Sequence, residues 1–369
     1  MTTRRRKKVL AAMSGGVDSS VAAALLKKKG YDVIGITMQI WPLRSRAESR
    51  GSGLAPNFGG CCGISAVEDA KKVAKSLKIP HYVLNFREEF KKEVVDDFIS
   101  EYRRGRTPNP CVICNQKIKF DLLINKADEL GADHVATGHY ASIVKNGKSF
   151  ELKKGSDKKK DQSYFLYSMG KEALPRVLFP VGDTTKTKTR QIAKQLGLSI
   201  HDKKDSQEIC FIEDNNYGRF LSDNIPGAIS PGPIYNTEGV RVGMHKGIIF
   251  YTIGQRKGLG VQFGKPCYVL HIDPDSNSIV VGEEKYLMGK ELIADNVKWL
   301  SIPAPKDDLQ VKAKIRYNSE ETEAKVVPLP NNECRVVFKS PVKAITPGQS
   351  VVFYKNNVVL GGAIIKERK

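Results

Sequence analysis

No apolar run in this 369-residue chain approaches the ~20 residues a helix needs to span a bilayer, so no membrane segment is expected. The start Arg4-Arg5-Arg6-Lys7-Lys8 followed by Val9-Leu10-Ala11-Ala12-Met13 opens like a secretion signal, but its apolar part stops at Ser14-Gly15-Gly16. That is too short for most signal cores, and a cytoplasmic protein is expected. No internal repeat is long enough for a solenoid. Cysteine is sparse and odd in number, seven in all, without the spacing of a secreted disulfide framework. In a reducing cytosol such cysteines point to metal or catalytic chemistry. Acidic residues are short as well: 40 Asp plus Glu face 60 Lys plus Arg, for a formal charge of +20. The excess favours a polyanionic partner, because basic side chains on phosphates release condensed counterions. A generally basic proteome would give the same total. Clustering decides for a partner, since Lys145, Lys148, Lys153, Lys154, Lys158, Lys159 and Lys160 crowd one stretch and Lys186, Lys188, Arg190 and Lys194 another.

What is present is ordinary for a folded chain, 40% hydrophobic and 27% charged, in a length that suits two or three domains. Strand and helix alternate through the first third. Lys8 to Met13 reads as a strand, Asp18 to Lys29 as a helix stopped by Gly30, and Tyr31 to Met38 as a buried parallel strand. A Gly, Ser and Arg-rich loop (Pro42 to Gly63) leads to a helix over Ser65 to Leu77 and a strand His81 to Asn85. A helix Glu88 to Tyr102, a loop Arg103 to Cys114, a helix Lys117 to Leu130 and a strand Asp133 to Thr137 follow. The series predicts an α/β domain, a parallel sheet covered by helices on both faces. Beyond about Cys210, Gly and Pro become frequent. Short runs appear at Cys267 to Ile272, Ser278 to Gly282, Leu309 to Tyr317, Thr322 to Val327, Cys334 to Phe338, Ser350 to Tyr354 and Val358 to Ile364. Strands at hairpin spacing predict small barrels or sandwiches. The expected division is 1–210 for the catalytic domain, 211–288 for a small β-rich central domain and 289–369 for a C-terminal β-barrel.

Between the first strand and the first helix lies Ser14-Gly15-Gly16-Val17-Asp18-Ser19-Ser20. Paired glycines let the backbone turn sharply and bring N–H groups to an anion. Hydroxyls and a helix N-terminus add donors and positive potential. A Ser/Gly turn capped by Asp18 would look similar over two residues, but not over the whole motif in this strand–turn–helix setting. No G-K-[ST] follows, so this is not a Walker A loop and carries no lysine of its own. The motif resembles the PP-loop of the N-type ATP pyrophosphatases, which cleave ATP between its α and β phosphates and adenylate an oxygen.

Longer motifs follow in order: Thr107-Pro108-Asn109-Pro110-Cys111-Val112-Ile113-Cys114-Asn115, Ala136-Thr137-Gly138-His139-Tyr140-Ala141, Lys160-Asp161-Gln162-Ser163-Tyr164-Phe165-Leu166, Ser206-Gln207-Glu208-Ile209-Cys210-Phe211-Ile212 and Tyr251-Thr252-Ile253-Gly254-Gln255-Arg256-Lys257-Gly258-Leu259. Together they resemble the tRNA-specific 2-thiouridylase family (MnmA/TrmU). The likeness implies an adenine-nucleotide α-hydrolase-like PP-loop domain that uses ATP and Mg²⁺ to thiolate the wobble uridine of tRNAs for Lys, Glu and Gln. It places Ala12, Met13, Ser14, Gly15, Gly16, Val17, Asp18, Ser19, Met38 and Gly138 around ATP. It places Asn109, Pro110 and Cys111 at the target base, and His139, Asp161, Gln162, Ser163, Arg316, Tyr317 and Gln349 against tRNA. His139 by itself reads more readily as a structural histidine. Cys210 would receive sulfur as a persulfide and Cys114 assist its release, both as thiolates. The donor is either a persulfide carrier fed by a cysteine desulfurase or inorganic sulfide. Asp18 is a candidate Mg²⁺ ligand.

One departure stands out. The commoner family motif has Asp where Cys111 stands, so C-x-x-C results, and Cys111, Cys114 and Cys210 could meet in one pocket. Three cysteines can hold a [4Fe–4S] cluster with one iron open to sulfide. Zinc would need a fourth ligand from His201 or the Cys61-Cys62 pair. A redox-active disulfide and an exchange without consequence remain as alternatives. Cys267 and Cys334 lie in strand-like runs and are expected in the core. Two rival functions are carried. One is a PP-loop enzyme acting on a small molecule, such as an amide-forming ligase. The other is a non-enzymatic RNA- or metal-binding protein. The basic clusters and appended β-domains oppose the first, and the intact loop opposes the second.

Overall fold

The computed structural model describes residues 5–40, 64–203, 205, 209–212, 214, 216–225, 229–261 and 264–369. The expected loop Pro42 to Gly63, with Cys61 and Cys62, lies outside the described residues, as do Ser206, Gln207 and Glu208. The chain forms two compact units: residues 1–94, 111–215 and 357–359 make the first, and residues 95–110, 216–356 and 360–369 the second.

The first unit is built on a parallel sheet. Strand β1 (Lys8–Ala12) feeds helix α1 (Val17–Lys28), which returns to β2 (Asp32–Gln39). Helix α2 (Ile64–Ser76) leads to β3 (His81–Asn85), and β4 is a short strand, His134–Ala136. A hairpin, β5 (Ala141–Asn146) and β6 (Ser149–Lys154), intervenes before β7 (Val177–Leu178). The sheet order is β3-β2-β1-β4-β7, every pairing parallel. β1 sits centrally because its residues are apolar on both faces, as a strand covered from both sides requires. Val9, Ala11 and Met13 face a cluster with Val21, Ala22 and Leu26 of α1, Ala70 and Val73 of α2, and Ala193 of helix Lys186–Gln195. Leu10 and Ala12 face the opposite cluster, with Ile36, Leu123, Ala127 and Val135. The strand order reverses between β1 and β4. In open α/β sheets, ligands bind at the carboxyl ends of the strands flanking such a switch. The Ser14–Ser20 loop and Gly138 follow those two strands.

Three elements differ from the sequence expectation. The helix predicted over Glu88 to Tyr102 is α-helical at Arg87–Phe90, π-helical at Lys91–Val95 and α-helical again at Asp96–Arg103. The predicted loop to Cys114 ends earlier, because Pro110 opens a helix Pro110–Ile113 that runs on as a π-helix, Cys114–Leu122, and an α-helix, Leu123–Glu129. Proline suits a first helical position, where its missing N–H goes unused. Cys111 and Cys114 therefore stand on a helical turn. The antiparallel β5–β6 hairpin was hidden by its charge, since Lys145, Asn146, Gly147 and Lys148 form its tip.

The second unit carries β8 (Gly232–Tyr235), β9 (Arg241–His245), β10 (Tyr268–Asp273) and β11 (Ser278–Gly282), ordered β10-β11-β8-β9. Then come β12 (Met288–Trp299), β13 (Leu309–Lys314), β14 (Thr322–Leu329), β15 (Glu333–Lys343), β16 (Ser350–Lys355) and β17 (Val358–Arg368). These run β12-β15-β14-β13-β16-β17, and β12 pairs back onto β17 to close a barrel. Closure removes the exposed strand edges. β12 escaped the sequence reading because its pattern, MGKELIADNVKW, does not alternate cleanly. Cys334 is buried as expected and its thiol is pushed up to about 12 by burial, whereas Cys267 is only half-buried.

Candidate nucleotide-binding and sulfur-transfer site

The Ser14–Ser20 loop is shaped by its own hydroxyls. Ser19 Oγ accepts from the Ser14 N–H (3.2 Å) and donates to the Gly16 carbonyl (3.2 Å), and Ser20 Oγ donates to the same carbonyl (2.8 Å). Gly16 caps α1 in an extended conformation without any side-chain capping bond. The first-turn N–H groups are thus left for an outside anion, in the positive field of the helix end. Two glycines make the geometry possible. Gly15 has φ +67°, and a Cβ there would lie 2.2 Å from the Ala66 carbonyl of α2. A Cβ on Gly138 would lie 2.6 Å from the Ser19 nitrogen, so this glycine lets the turn that follows β4 reach the loop. From β2, Thr37 Oγ1 donates to the Met13 carbonyl (2.7 Å) and meets His81 Nε2 at 2.8 Å. Burial, with Lys71 nearby, lowers the His81 pKa and favours a neutral ring. Met38 lies half-buried at the end of β2, against the Leu10 and Ala12 cluster.

Asp18 is held in a charge network that the sequence did not reveal. Its Oδ1 accepts from the Tyr140 hydroxyl (2.8 Å), and Oδ1 and Oδ2 both accept from the Lys186 ammonium (2.8 and 2.7 Å). Lys186 also pairs with Asp205 (2.7 Å), which takes Arg190 (2.9 Å) and Lys160 (2.8 Å) as well. Burial alone would raise the Asp205 pKa, but the Lys160 and Lys186 ammoniums outweigh it and bring it to about 2. Burial, with the Asp18 charge beside it, pushes the Tyr140 phenol well up. Both Asp18 oxygens, the candidate Mg²⁺ ligand atoms, accept from Lys186 in this conformation. Lys160, Lys186 and Arg190, read from the sequence as free basic clusters, are spent on internal carboxylates, while Lys145, Lys148, Lys158, Lys159, Lys188 and Lys194 are exposed. The Lys186–x₃–Arg190 helical spacing was the only sequence signal for the network.

The residues expected at tRNA fall into two groups. In the first unit, Asp161 accepts from the N–H groups of Gly155 and Ser163 and from the Ser163 hydroxyl, and Gln162 accepts from the Tyr140 N–H. Ser163 is fully buried. These side chains shape their own turn. His139 is buried between Phe120 and Phe179, its Nδ1 2.6 Å from Thr137 Oγ1, and burial holds its pKa well below the ordinary value. Its setting is that of a neutral core histidine. In the second unit, Arg316 donates to the Ile253 and Ala344 carbonyls and to Thr346, and Lys314 lies 5.6 Å from the ring of Tyr317. Gln349 Nε2 donates to the carbonyls of Thr107 (3.0 Å) and Pro108 (3.2 Å), and the Thr107 N–H donates to Pro347 (2.9 Å). A Cβ on Gly348 (φ +90°) would meet the Thr107 backbone at 2.8–2.9 Å. Residues 347–349 therefore clamp the segment that presents Asn109 and Pro110.

On the helical turn after Pro110, Cys111 is exposed and Cys114 buried, and Cys210 is half-buried. Asn115 is 3% exposed, with Nδ2 on the Phe165 carbonyl (3.0 Å), and fixes the turn that carries Cys114. Among the described residues no group of three or more His, Cys, Asp or Glu side chains is arranged to hold a metal. Cys111, Cys114 and Cys210 are therefore not gathered as a metal-ligand group in this conformation, and the Cys61-Cys62 pair offered as a further zinc ligand lies outside the described residues.

A parallel sheet with an anion loop at its switch point defines the HUP class of nucleotide-binding domain, and residues 7–214 match the family model described as a tRNA methyl transferase HUP domain. Residues 218–283 match its PRC-barrel domain and 289–365 an aminomethyltransferase β-barrel domain. The chain is 50% identical over 340 residues to the tRNA-specific 2-thiouridylase MnmA of Clostridium perfringens, covering 92% of this chain and 93% of that one. It is 50% identical over 343 residues to the protein of the same name from Halothermothrix orenii, covering 92% and 94%. The chain belongs to the tRNA-specific 2-thiouridylase family. A solved 4-thiouridine synthetase–RNA complex with bound ATP is 20% identical over 60% of this chain and 50% of that one, at a TM-score of 0.35, too low to carry an argument.

Proposed function

We propose that this protein performs ATP-dependent 2-thiolation of the uridine at wobble position 34 of tRNA. The observation that carries the reading is the open first turn of α1 in the Ser14–Ser20 loop, where Gly15 and Gly138 leave no room for a side chain, as a loop that brings its backbone to a phosphate requires. Uridine C2 is a poor electrophile, so its O2 must become a leaving group. O2 attacks the α-phosphorus of ATP, the bond to the β-phosphate oxygen breaks, and pyrophosphate departs with the electron pair. A persulfide on Cys210 then attacks C2 through its outer sulfur and AMP leaves. The Cys114 thiolate attacks the inner sulfur, the S–S bond breaks toward the new thiocarbonyl, and a Cys114–Cys210 disulfide remains for an external thiol to reduce. The base must leave the anticodon stack, which costs a few kcal/mol and less in a single-stranded loop.

Mg²⁺ would neutralise the triphosphate when bound, and the loop N–H groups would orient the phosphates beside it. We keep tRNAs for Lys, Glu and Gln as the substrates and a persulfide carrier as the donor. Inorganic sulfide is the donor a cluster would require, and no three-ligand metal group among the described residues supports one in this conformation. The division at residues 210 and 288 is supported by family matches that start at 218 and 289. No helix among the described residues is long and apolar enough to cross a membrane, which accords with a cytoplasmic site of action. The test is pyrophosphate release that depends on added tRNA, together with iron and sulfide analysis of anaerobically purified protein. Full thiolation by iron-free enzyme supports the persulfide route. Activity that tracks labile sulfide restores the cluster.

A further inference from the structure

The phosphate loop contains no lysine, yet the fold brings one to it. Lys203, from the segment that precedes Cys210, donates its ammonium to the Gly15 carbonyl (3.0 Å) and to the carboxylate of Asp69 on α2 (2.7 Å). Gly15 is the residue that packs on the α2 backbone at Ala66, so loop, helix and lysine meet at one point. An ammonium has three N–H donors. Two are engaged here, and the third has no acceptor among the described residues. Lys186 offers an instructive contrast. It is shared by the carboxylates of Asp18 and Asp205 and its side chain is 12% exposed, whereas Lys203 has one carboxylate and is 33% exposed. The first is neutralised twice over and serves to brace Asp18. The second keeps a donor for an incoming anion.

We propose that Lys203 is a catalytic residue of the adenylation step, binding the β- and γ-phosphates of ATP at the loop and stabilising the pyrophosphate that leaves. The proposal rests on the reading of Ser14–Ser20 as an ATP-pyrophosphatase loop. As uridine O2 bonds to the α-phosphorus, negative charge grows on the oxygen bridging to the β-phosphate. A fixed cation there acts on charge that the ground state lacks, which is how such groups raise rate. Asp69 holds the ammonium in place before nucleotide arrives, and the Gly15 carbonyl keeps it aimed along the loop.

The test compares Lys203→Met, Lys203→Arg and wild-type protein by titration calorimetry with inorganic pyrophosphate and with AMP, and by single-turnover pyrophosphate release with tRNA. Lys203→Met is expected to weaken pyrophosphate binding tenfold or more, about 1.4 kcal/mol. It should slow release by a larger factor and leave AMP affinity within about twofold, since AMP lacks the phosphates Lys203 would touch. Lys203→Arg should recover most of the loss. Unchanged pyrophosphate affinity and rate would overturn the proposal. So would an equal fall for AMP and pyrophosphate, the signature of a loop that had merely lost support at Gly15. If Lys203→Met does not fold, Lys203→Gln decides, because it keeps much of the length and the polarity of the side chain and removes its charge: weaker pyrophosphate binding with AMP affinity held supports the role, and unchanged pyrophosphate affinity contradicts it. Gly16→Val separates the underlying reading: if that variant binds both ligands normally, the loop is not the nucleotide site and Lys203 has no pyrophosphate to hold.

Discussion

Around Ser14–Ser20 the neighbours are charged: Asp18 on Lys186, Asp205 on three cations, and Lys203 on the Gly15 carbonyl. Around Thr107–Pro110 the contacts are neutral: the Gln349 amide on the Thr107 and Pro108 carbonyls, the Pro347 carbonyl on the Thr107 N–H, and a glycine pressed on the Thr107 main chain. Both segments are held by specific contacts, but by forces with different sensitivities. Ion pairs respond to pH, to salt and to any phosphate that competes for the cations. The neutral clamp responds only to shape. A loop that must greet a polyanion and release another one gains from the first arrangement, and a loop that must present a neutral base gains from the second.

The largest effect should come where shape fails at the charged loop. Gly15→Val puts a side chain at φ +67° and 2.2 Å from a backbone carbonyl that cannot yield. We expect tRNA-dependent pyrophosphate release to fall by about 10³-fold or more, as loss of a preorganised anion site does, with ATP binding measured alongside. Gly348→Ala makes the same insult to the neutral clamp. It should move Asn109 and Pro110, cutting thiolation about 10²-fold, the cost of an ångström-scale misplacement. ATP and AMP affinities should hold, and a parallel loss of ATP binding would show that the two loops are not separately fixed.

Asp205→Asn attacks the charge network alone. The folded pKa of about 2 lies below the ordinary carboxylate value of 3.8, so the stabilisation is full above pH 4 and is lost as pH falls from about 4 toward 2. Its side chain is 21% exposed. After discounting for solvent screening the network contributes about 1–2 kcal/mol, and the variant should lose that much stability at pH 7 and show a flatter acid limb in thermal melts. Smallest of all, Lys158→Gln with Lys159→Gln should lower the salt slope of tRNA binding by about 0.7–0.9 for each phosphate contact removed. Lys160→Gln should behave as a stability variant, because its partner is Asp205.

The parallel sheet, the phosphate loop and most barrel strands were legible in the sequence because each follows from a local pattern. β1 is apolar on both faces, His81–Asn85 stands between breakers, and Ser14–Ser20 sits between strand and helix. The charge network was not legible. Asp18, Tyr140, Lys186 and Asp205 are far apart in the chain, and a lysine that folds inward is written with the same letter as one that faces RNA. The clamp was hidden likewise: Gln349 pointed to tRNA by resemblance, and only tertiary structure shows it holding Thr107 and Pro108. Nor could spacing alone predict that Cys111 and Cys114, on one helical turn, would differ so much in exposure.

The most direct test of the account is mass spectrometry of tRNA nucleosides from cells that lack this protein, then regain it as wild type or as Gly15→Val. The account predicts that 2-thiouridine derivatives at the wobble position vanish with the protein, return with the wild type and stay absent with the variant. Persistence of those nucleosides in the deleted cells, or their return with Gly15→Val, would contradict it.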